Sequence, residues 1–212
     1  MPSAGRALGQ AVSLPPFTVT YDYRCPFARN AHEHIAAALA GGADWEVTFL
    51  PFSLSQVHVP EGGTPVWDDP DRAKDLLALA AGVVVRDHYP DRFLEAHVAL
   101  FAARHDEGLD LRRPEVVTKV LDGAGLPGAA VVAEAASGGA VQEIRRAHER
   151  AVAEWEVFGV PTFIAGERAV FVRLMSRPKG DAALARRTIE GVLGLLDTMP
   201  DLNEFKHTSL EF

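Results

Sequence analysis

The sequence has little of what several classes of protein need. It contains one cysteine, Cys25, in 212 residues, so no disulfide within the chain can hold the fold together. It has no excess of basic residues either. The formal net charge is -8, which argues against a surface for nucleic acid or for an anionic membrane. We therefore expect no nucleic acid and no membrane as partner, but a small molecule or another protein.

Several sequence motifs are also absent. No apolar run approaches the roughly 20 residues that cross a bilayer, and residues 1–17 have no apolar core of signal-peptide length, which predicts a soluble cytoplasmic protein. Neither GxGxxG after a strand nor GxxxxGK[ST] occurs, so a nucleotide cofactor is not expected. Without HExxH or a Cys/His cluster, and with His32 and His34 on different faces of a predicted helix, we expect no metal site.

Strand and helix signals alternate at the start of the chain. The stretch FTVTYDY (17–23) is rich in β-branched and aromatic residues and predicts a strand. Apolar residues then recur at helical spacing from Pro26 to the Gly41-Gly42 stop, and WEVTFLPFSL (45–54) predicts a second strand. This order predicts a β-α-β unit with parallel strands.

Helical patterns then dominate up to residue 156. Breaks at glycine and proline separate helices predicted at 71–87, 90–106, 113–123, 127–136 and 138–156. The apolar residues of the first two helices are expected to form the core between this helical block and the sheet: Leu76, Leu77, Leu79, Val83, Phe93, Leu94, Val98 and Phe101. The stretch VFGVPTFIAGERAVFVRL (157–174) predicts a hairpin, and a last helix is expected at about 181–197.

The position of Cys25 indicates a reactive cysteine rather than a residue of the core. A lone cysteine is most often a small buried apolar residue. Cys25, however, lies where a strand passes into a helix, and Pro26 suits the first helical turn. The unpaired N–H groups and the dipole of that helix favour the thiolate, which is the reactive form, and Arg24 and Arg29 would add positive potential.

The two motifs YDYRCPFA and VFGVPTF, in this order of elements, resemble the DsbA type of thioredoxin-fold protein. The resemblance covers most of residues 17–199. It implies an α/β thioredoxin-like fold with a central mixed sheet and an all-helical inserted domain. Residues 14–56 and 157–200 would form the thioredoxin-like domain, 65–156 the insertion and 201–212 a tail.

The same resemblance implies the site residues. Cys25 would be the nucleophile, and Pro161 would form a cis peptide that places the backbone of Val160 against its sulfur. The residues expected around a bound thiol are Pro26, Phe27, Ala28, Val160, Pro161 and Thr162.

The motif departs from that of dithiol enzymes, which have Cys-x-x-Cys, because Ala28 stands at the fourth position. A single thiolate can still attack a mixed disulfide and be released by a second small thiol. The tail NEFKHTS is similar to that of mycothiol-dependent reductases, although VRLMS (172–176) replaces their usual Gly-Pro pair. Mycothiol is the co-substrate that this implies, with glutathione as the alternative and no tightly bound cofactor.

Two other functions stay open. Cys25 could hold a substrate's thiolate, as the resemblance to kappa-class glutathione transferases and hydroxychromene-carboxylate isomerases implies, with an electrophile as second substrate. The chain could also be a thioredoxin-like binding module without catalysis. His88, His97 and His105 could line a substrate cleft, although hydrogen-bonded or solvated roles are favoured. Both a monomer and a homodimer fit the sequence.

Overall fold

Four strands form one mixed sheet in residues 14–207, the part of the chain that this computed structural model describes. The strands are β1 (Phe17–Tyr21), β2 (Val47–Pro51), β3 (Thr162–Ala165) and β4 (Arg168–Phe171). Their order in the sheet is β2-β1-β3-β4. β1 pairs parallel with β2 and antiparallel with β3, and β3 pairs antiparallel with β4. The predicted β-α-β unit, hairpin and mixed sheet are therefore confirmed.

Helix α1 (Pro26–Ala40) connects the two parallel strands. Proline occupies its first turn, as expected, because the missing N–H has no partner there anyway. β1 ends at Tyr21, two residues earlier than predicted, because the chain turns at Asp22, whose carbonyl oxygen accepts the Cys25 N–H at 3.0 Å. This turn brings Cys25 to the edge of the sheet where α1 begins.

Between β2 and β3 the described chain has the five predicted helices in their predicted order, preceded by a short helix, α2 (Leu54–Val57), that the sequence analysis did not predict. The five are α3 (Leu77–His88), α4 (Phe93–His105), α5 (Pro114–Gly123), α6 (Gly128–Ala135) and α7 (Gly139–Trp155). The prediction of one helix over 71–87 needs a correction, because Pro70–Leu76 is a 3-10 helix and the α-helix begins only at Leu77. The last helix, α8 (Ala182–Thr198), packs on α1.

The predicted helical core is buried where α3 and α4 pack together and where α4 meets α1. Of the eight residues expected there, three are only half-buried: Leu77, Leu94 and Val98. One close contact ties this block to the active-site loop. An added Cβ at Gly82 of α3 would lie 2.6 Å from the hydroxyl oxygen of Tyr23.

The domain bounds and the two ends of the chain stay as predicted from the sequence. The division into 14–56 with 157–200, 65–156 and 201–212 stays a prediction, as does the absence of a signal peptide at residues 1–17, most of which lie outside the described residues. The end of the tail motif, residues 208 and 209, also lies outside them. Among residues 14–207, no helix is long and apolar enough to cross a membrane.

Candidate active site

Cys25 is the N-terminal cap of α1. Its Sγ accepts a hydrogen bond from the N–H of Ala28 at 3.4 Å, in the way that serine and aspartate side chains cap other helices. Only 7% of the residue is exposed, and Pro26 beside it lies at the surface. The local sequence signal, a cysteine before a proline at a helix start, therefore places the sulfur among the free N–H groups of the first turn.

A second segment closes the site from the other side. The peptide bond between Val160 and Pro161 is cis. The carbonyl oxygen of Val160 lies 3.3 Å from the sulfur of Cys25 and accepts a hydrogen bond from its thiol. The structure thus brings Cys25, Ala28 and Val160 together, as the resemblance implies.

Hydrogen bonds from two threonines fix this segment. The Thr162 N–H donates to the Thr20 hydroxyl oxygen at 2.8 Å, and the Thr162 hydroxyl donates to the Gly159 carbonyl oxygen, also at 2.8 Å. Thr20 was not among the predicted site residues. Nothing in its local sequence marks it, because the contact joins β1 to a segment more than 130 residues later in the chain.

The protonation of Cys25 corrects the sequence-based expectation of a stabilised thiolate. Burial raises the pKa of the Cys25 thiol, and this effect outweighs the N–H groups of Ala28 and Phe27, which lower it. The Asp22 carboxylate raises the pKa further. At neutral pH the residue is therefore a thiol, which agrees with its hydrogen bond to Val160.

Asp22 is a further residue of the site that the sequence analysis missed. It is 5% exposed, and its two carboxylate oxygens accept the N–H groups of Arg24 at 2.9 Å and Leu54 at 2.8 Å. Burial raises the pKa of Asp22, although these two N–H groups oppose the shift. Its signal in the sequence is the aspartate that follows the strand and starts the turn into the cysteine.

Arg24 and Arg29 do not add the positive potential at the sulfur that the sequence analysis expected. Arg29 is bound in a ring of ion pairs with Glu33, Asp106 and Arg177, each arginine pairing with both carboxylates. Arg24 lies exposed and donates to the hydroxyl of Ser55. Neither arginine is a cause of the pKa displacement of Cys25. The ring instead joins α1 to the end of α4 and to the segment after β4.

A chain of buried hydrogen bonds supports the loop before the cysteine. The ring nitrogens of His97 and His32 lie 2.8 Å apart, the Tyr23 hydroxyl lies 2.9 Å from His97 Nδ1, and His32 Nε2 lies 3.1 Å from the Thr20 carbonyl oxygen. Because that carbonyl can only accept, His32 Nε2 donates to it. His97 Nε2 then donates to His32, and the Tyr23 hydroxyl donates to His97.

Of the three histidines considered for a cleft, His97 and His105 have hydrogen-bond partners, as favoured from the sequence. His97 is 1% exposed and lies in the core, so it takes the hydrogen-bonded role that the sequence favoured and does not line a cleft. His105 is half-buried, with Nε2 2.9 Å from the carbonyl oxygen of Tyr23. His88 lies at the surface, 3.1 Å from a carboxylate oxygen of Glu134.

Comparison with known proteins identifies the family. The model of the DSBA-like thioredoxin domain matches residues 18–175 of the chain. The protein belongs to this DsbA-like family. No curated protein matches the chain.

Solved structures share the fold at low sequence identity. A cytosolic disulfide reductase, DsbM from Pseudomonas aeruginosa with GSH, has a TM-score of 0.57 at 17% identity, covering 85% of this chain and 100% of that one. A 2-hydroxychromene-2-carboxylate isomerase has a TM-score of 0.59 at 15% identity, covering 88% and 99%. A probable DsbA oxidoreductase from Streptomyces coelicolor has a TM-score of 0.57 at 15% identity, covering 91% and 93%. At these identities the likeness shows the fold.

The fourth motif position separates this DsbA-like site from a dithiol site. Ala28 stands fully buried at the fourth motif position, where dithiol enzymes carry the resolving cysteine. The wall beyond the hairpin, VRLMS (172–176), places the Arg173 guanidinium over the ring of Phe27, 5.6 Å from its centre. The Leu174 carbonyl oxygen accepts from the Asn30 amide at 2.7 Å, which fixes this wall to α1.

Proposed function

We propose that the protein is a thiol–disulfide oxidoreductase in which Cys25 acts as a single nucleophile together with a small thiol. The observation that carries this proposal is the position of the sulfur. It lies at the start of α1, within 3.4 Å of the Ala28 N–H and 3.3 Å of the Val160 carbonyl oxygen. The chain supplies no second thiol, so the resolving thiol must come from another molecule.

The cycle has two exchange steps. The Cys25 thiolate attacks one sulfur of a mixed disulfide, RS–SR′, forming a Cys25–SR disulfide and releasing R′S⁻, which takes up a proton. A second RS⁻ then attacks the sulfur of the bound R group, releasing RS–SR and the Cys25 thiolate. In sum, the R′S half of the mixed disulfide is reduced to R′SH and the one incoming RS⁻ is oxidised, ending as half of RS–SR, so the protein itself is unchanged.

The residues of the site have distinct tasks in this cycle. The N–H groups of Ala28 and Phe27 face the sulfur and stabilise negative charge on it. The backbone of Val160, with Pro161 and Thr162, forms the wall against which the incoming thiol aligns. Because burial raises the pKa of Cys25, the thiolate fraction and the rate of attack should increase with pH.

The proposal also covers the identity of the small thiol and the location of the protein in the cell. Mycothiol is the thiol that the resemblance implies, and glutathione is the alternative, which fits the GSH named for the DsbM structure. We propose a cytoplasmic protein, without a tightly bound cofactor, that acts on a disulfide or an electrophile as monomer or homodimer.

One observation favours a second function, that of a transferase or isomerase. Cys25 is a thiol that donates a hydrogen bond to Val160. A protonated cysteine can donate the same bond to the thiolate of a bound small thiol without forming a disulfide. That thiolate would then attack an electrophilic substrate.

The two functions are separated by intact-protein mass spectrometry. The protein is mixed with the disulfide of glutathione and mercaptoethanol, and in parallel with the corresponding mycothiol disulfide. We expect an adduct on Cys25 that is absent in Cys25→Ser and is removed by excess free thiol. If no adduct forms while an electrophile is conjugated to the free thiol, the transferase function is correct instead. Ala28→Cys should lose the adduct faster, because a resolving sulfur is then present.

A further inference from the structure

The wall beyond the hairpin (172–176) is attached to both motifs of the site. At its start, the Val172 N–H donates to the Pro161 carbonyl oxygen at 3.1 Å, which continues the pairing of β3 with β4 by one residue. Two residues later, the Leu174 carbonyl oxygen accepts from the Asn30 amide at 2.7 Å. The wall therefore crosses from the cis-proline segment to α1.

Cys25 lies between the two segments that the wall joins. Its sulfur is 3.3 Å from the Val160 carbonyl oxygen on one side and 3.4 Å from the Ala28 N–H on the other, and only 7% of the residue is exposed. In the middle of the wall, Arg173 is exposed and extends its guanidinium over the ring of Phe27, 5.6 Å from the ring centre. A molecule that approaches the sulfur from solvent therefore has the Arg173 side chain beside its path.

The charge of Arg173 already has a counterpart within the chain. The Lys206 ammonium lowers the pKa of the Glu204 carboxyl, and the Arg173 guanidinium lowers it further. Arg173 thus lies near a carboxylate of the same chain. Its role at the entrance to the site follows from its size rather than from its charge.

A ring of ion pairs holds the far end of the wall. Arg177, which follows the wall directly, pairs with Glu33 of α1 at 2.5 Å and with Asp106 after α4 at 3.3 Å. Arg29 pairs with the same two carboxylates. The Arg29 and Glu33 side chains are only 10% and 9% exposed, whereas those of Arg177 and Asp106 are 38% and 40% exposed. The end of the wall is therefore tied to a buried pair through ion pairs that salt can screen.

We propose that the wall selects the substrate of Cys25 by size, with Arg173 as the residue that excludes bulk and Arg177 as the residue that positions the wall. The rate of thiol–disulfide exchange depends on access to the sulfur under attack, so a narrow entrance rejects a disulfide that is bulky next to that sulfur. This inference rests on the proposed oxidoreductase function and names its substrate class, which is disulfides with a slender group next to the attacked sulfur.

The test compares methyl methanethiosulfonate with cyclohexyl methanethiosulfonate. Each is neutral and transfers its RS group to a thiolate, forming a Cys25–SR disulfide and releasing methanesulfinate. The rates at Cys25 are measured by intact mass at one pH, and the ratio of the methyl to the cyclohexyl rate is also measured on N-acetylcysteine, which has no wall. We expect a larger ratio on the protein. Equal ratios on the protein and on N-acetylcysteine overturn the inference.

Variants assign the selection to the two arginines. In Arg173→Ala the ratio should fall most of the way to that of N-acetylcysteine, and an unchanged ratio overturns the assignment of this residue. In Arg177→Gln it should fall by up to about fivefold for each of the two ion pairs lost. The ratio cancels changes in the reactivity of the sulfur itself, because both reagents meet the same cysteine.

Arg145→Gln is the matched control for Arg177→Gln. Arg145 of α7 is 37% exposed and also pairs with two carboxylates, those of Asp68 and Glu149. Its loss makes the same change in net charge without touching the wall, so the ratio should equal that of the parent. A fall as large as in Arg177→Gln refutes a local role for the ring.

Salt tests the positioning role of Arg177 without a change in the wall itself. Because its ion pairs are partly exposed, about 1 M NaCl should lower the ratio in the parent and have much less effect in Arg177→Gln. An equal effect of salt on both proteins contradicts this role.

Reaction with hydroxyethyl disulfide keeps the inference separate from the proposed function. If this disulfide forms no adduct with the parent or with Arg173→Ala while the two thiosulfonates are discriminated, the oxidoreductase function fails and the selection by the wall stands. If the adduct forms but the thiosulfonate ratio equals that of N-acetylcysteine, the function stands and the selection by the wall is wrong.

Discussion

Acid should destabilise the protein through the buried pair His32 and His97. Their rings lie against Tyr21, with centroids 5.6 and 4.7 Å away, and against the ring of Phe101. Burial lowers the pKa of His32 to about 4 and that of His97 well below its usual value, and the neighbouring His32 lowers the latter further. Both rings are therefore neutral in the folded protein over the range in which unfolded histidines become charged.

Stability falls as the pH is lowered, because the pKa of His32 is lower in the folded protein than in the unfolded chain. A histidine in the unfolded chain takes up a proton near pH 6.5, whereas His32 in the fold does so only near pH 4. Its contribution to stability is complete above about pH 6.5 and is lost as the pH falls toward 4. The loss is about 3 kcal/mol over that window and about 2 kcal/mol between pH 7 and pH 5. This is a large part of the 5–15 kcal/mol that typically holds a domain together.

The assay is urea unfolding of the parent and of His32→Gln at pH 7 and pH 5, followed by tryptophan fluorescence. The variant is expected to be less stable at pH 7, because the buried hydrogen bonds of the ring are disturbed. Its further loss between pH 7 and pH 5 should be smaller than the parent's by about 2 kcal/mol. His148, whose pKa burial also lowers to about 4, contributes to both proteins alike and cancels.

The control is His58→Gln, which changes an exposed histidine at the end of α2. In this variant, the loss of unfolding free energy between pH 7 and pH 5 should equal that of the parent. If His32→Gln loses as much stability as the parent between the two pH values, the buried pair does not govern the acid response and the reasoning is refuted.

Three further predictions concern the site and its support. Alkylation of Cys25 by iodoacetamide should be slow at neutral pH and still rising at pH 9, and a plateau below pH 7 would contradict the burial argument. Gly82→Ala should cost about 1–3 kcal/mol in urea unfolding because its Cβ meets the Tyr23 hydroxyl, whereas Gly191→Ala, which meets open space on α8, should not destabilise. Thr20→Val should cost about 1–3 kcal/mol and slow adduct formation, since it leaves the first N–H of β3 buried without its acceptor; unchanged stability would rule this out.

Much of the fold follows from local signals in the sequence. Alternation and β-branched residues placed β1 and β2, and Pro26 with the glycine pair at 41 and 42 set the limits of α1. The prediction of one α-helix over 71–87 was wrong at its start, because Pro70–Leu76 forms a 3-10 helix before α3 begins. These features depend on residues close in sequence, so they can be read without the tertiary structure.

The sequence by itself determined that one cysteine caps a helix after a strand, with no second sulfur to resolve a disulfide. Only the tertiary structure decided whether that cysteine is a thiol or a thiolate at neutral pH. Its pKa depends on how completely the Val160 segment and its surroundings exclude water, and desolvation is set by residues distant in the chain.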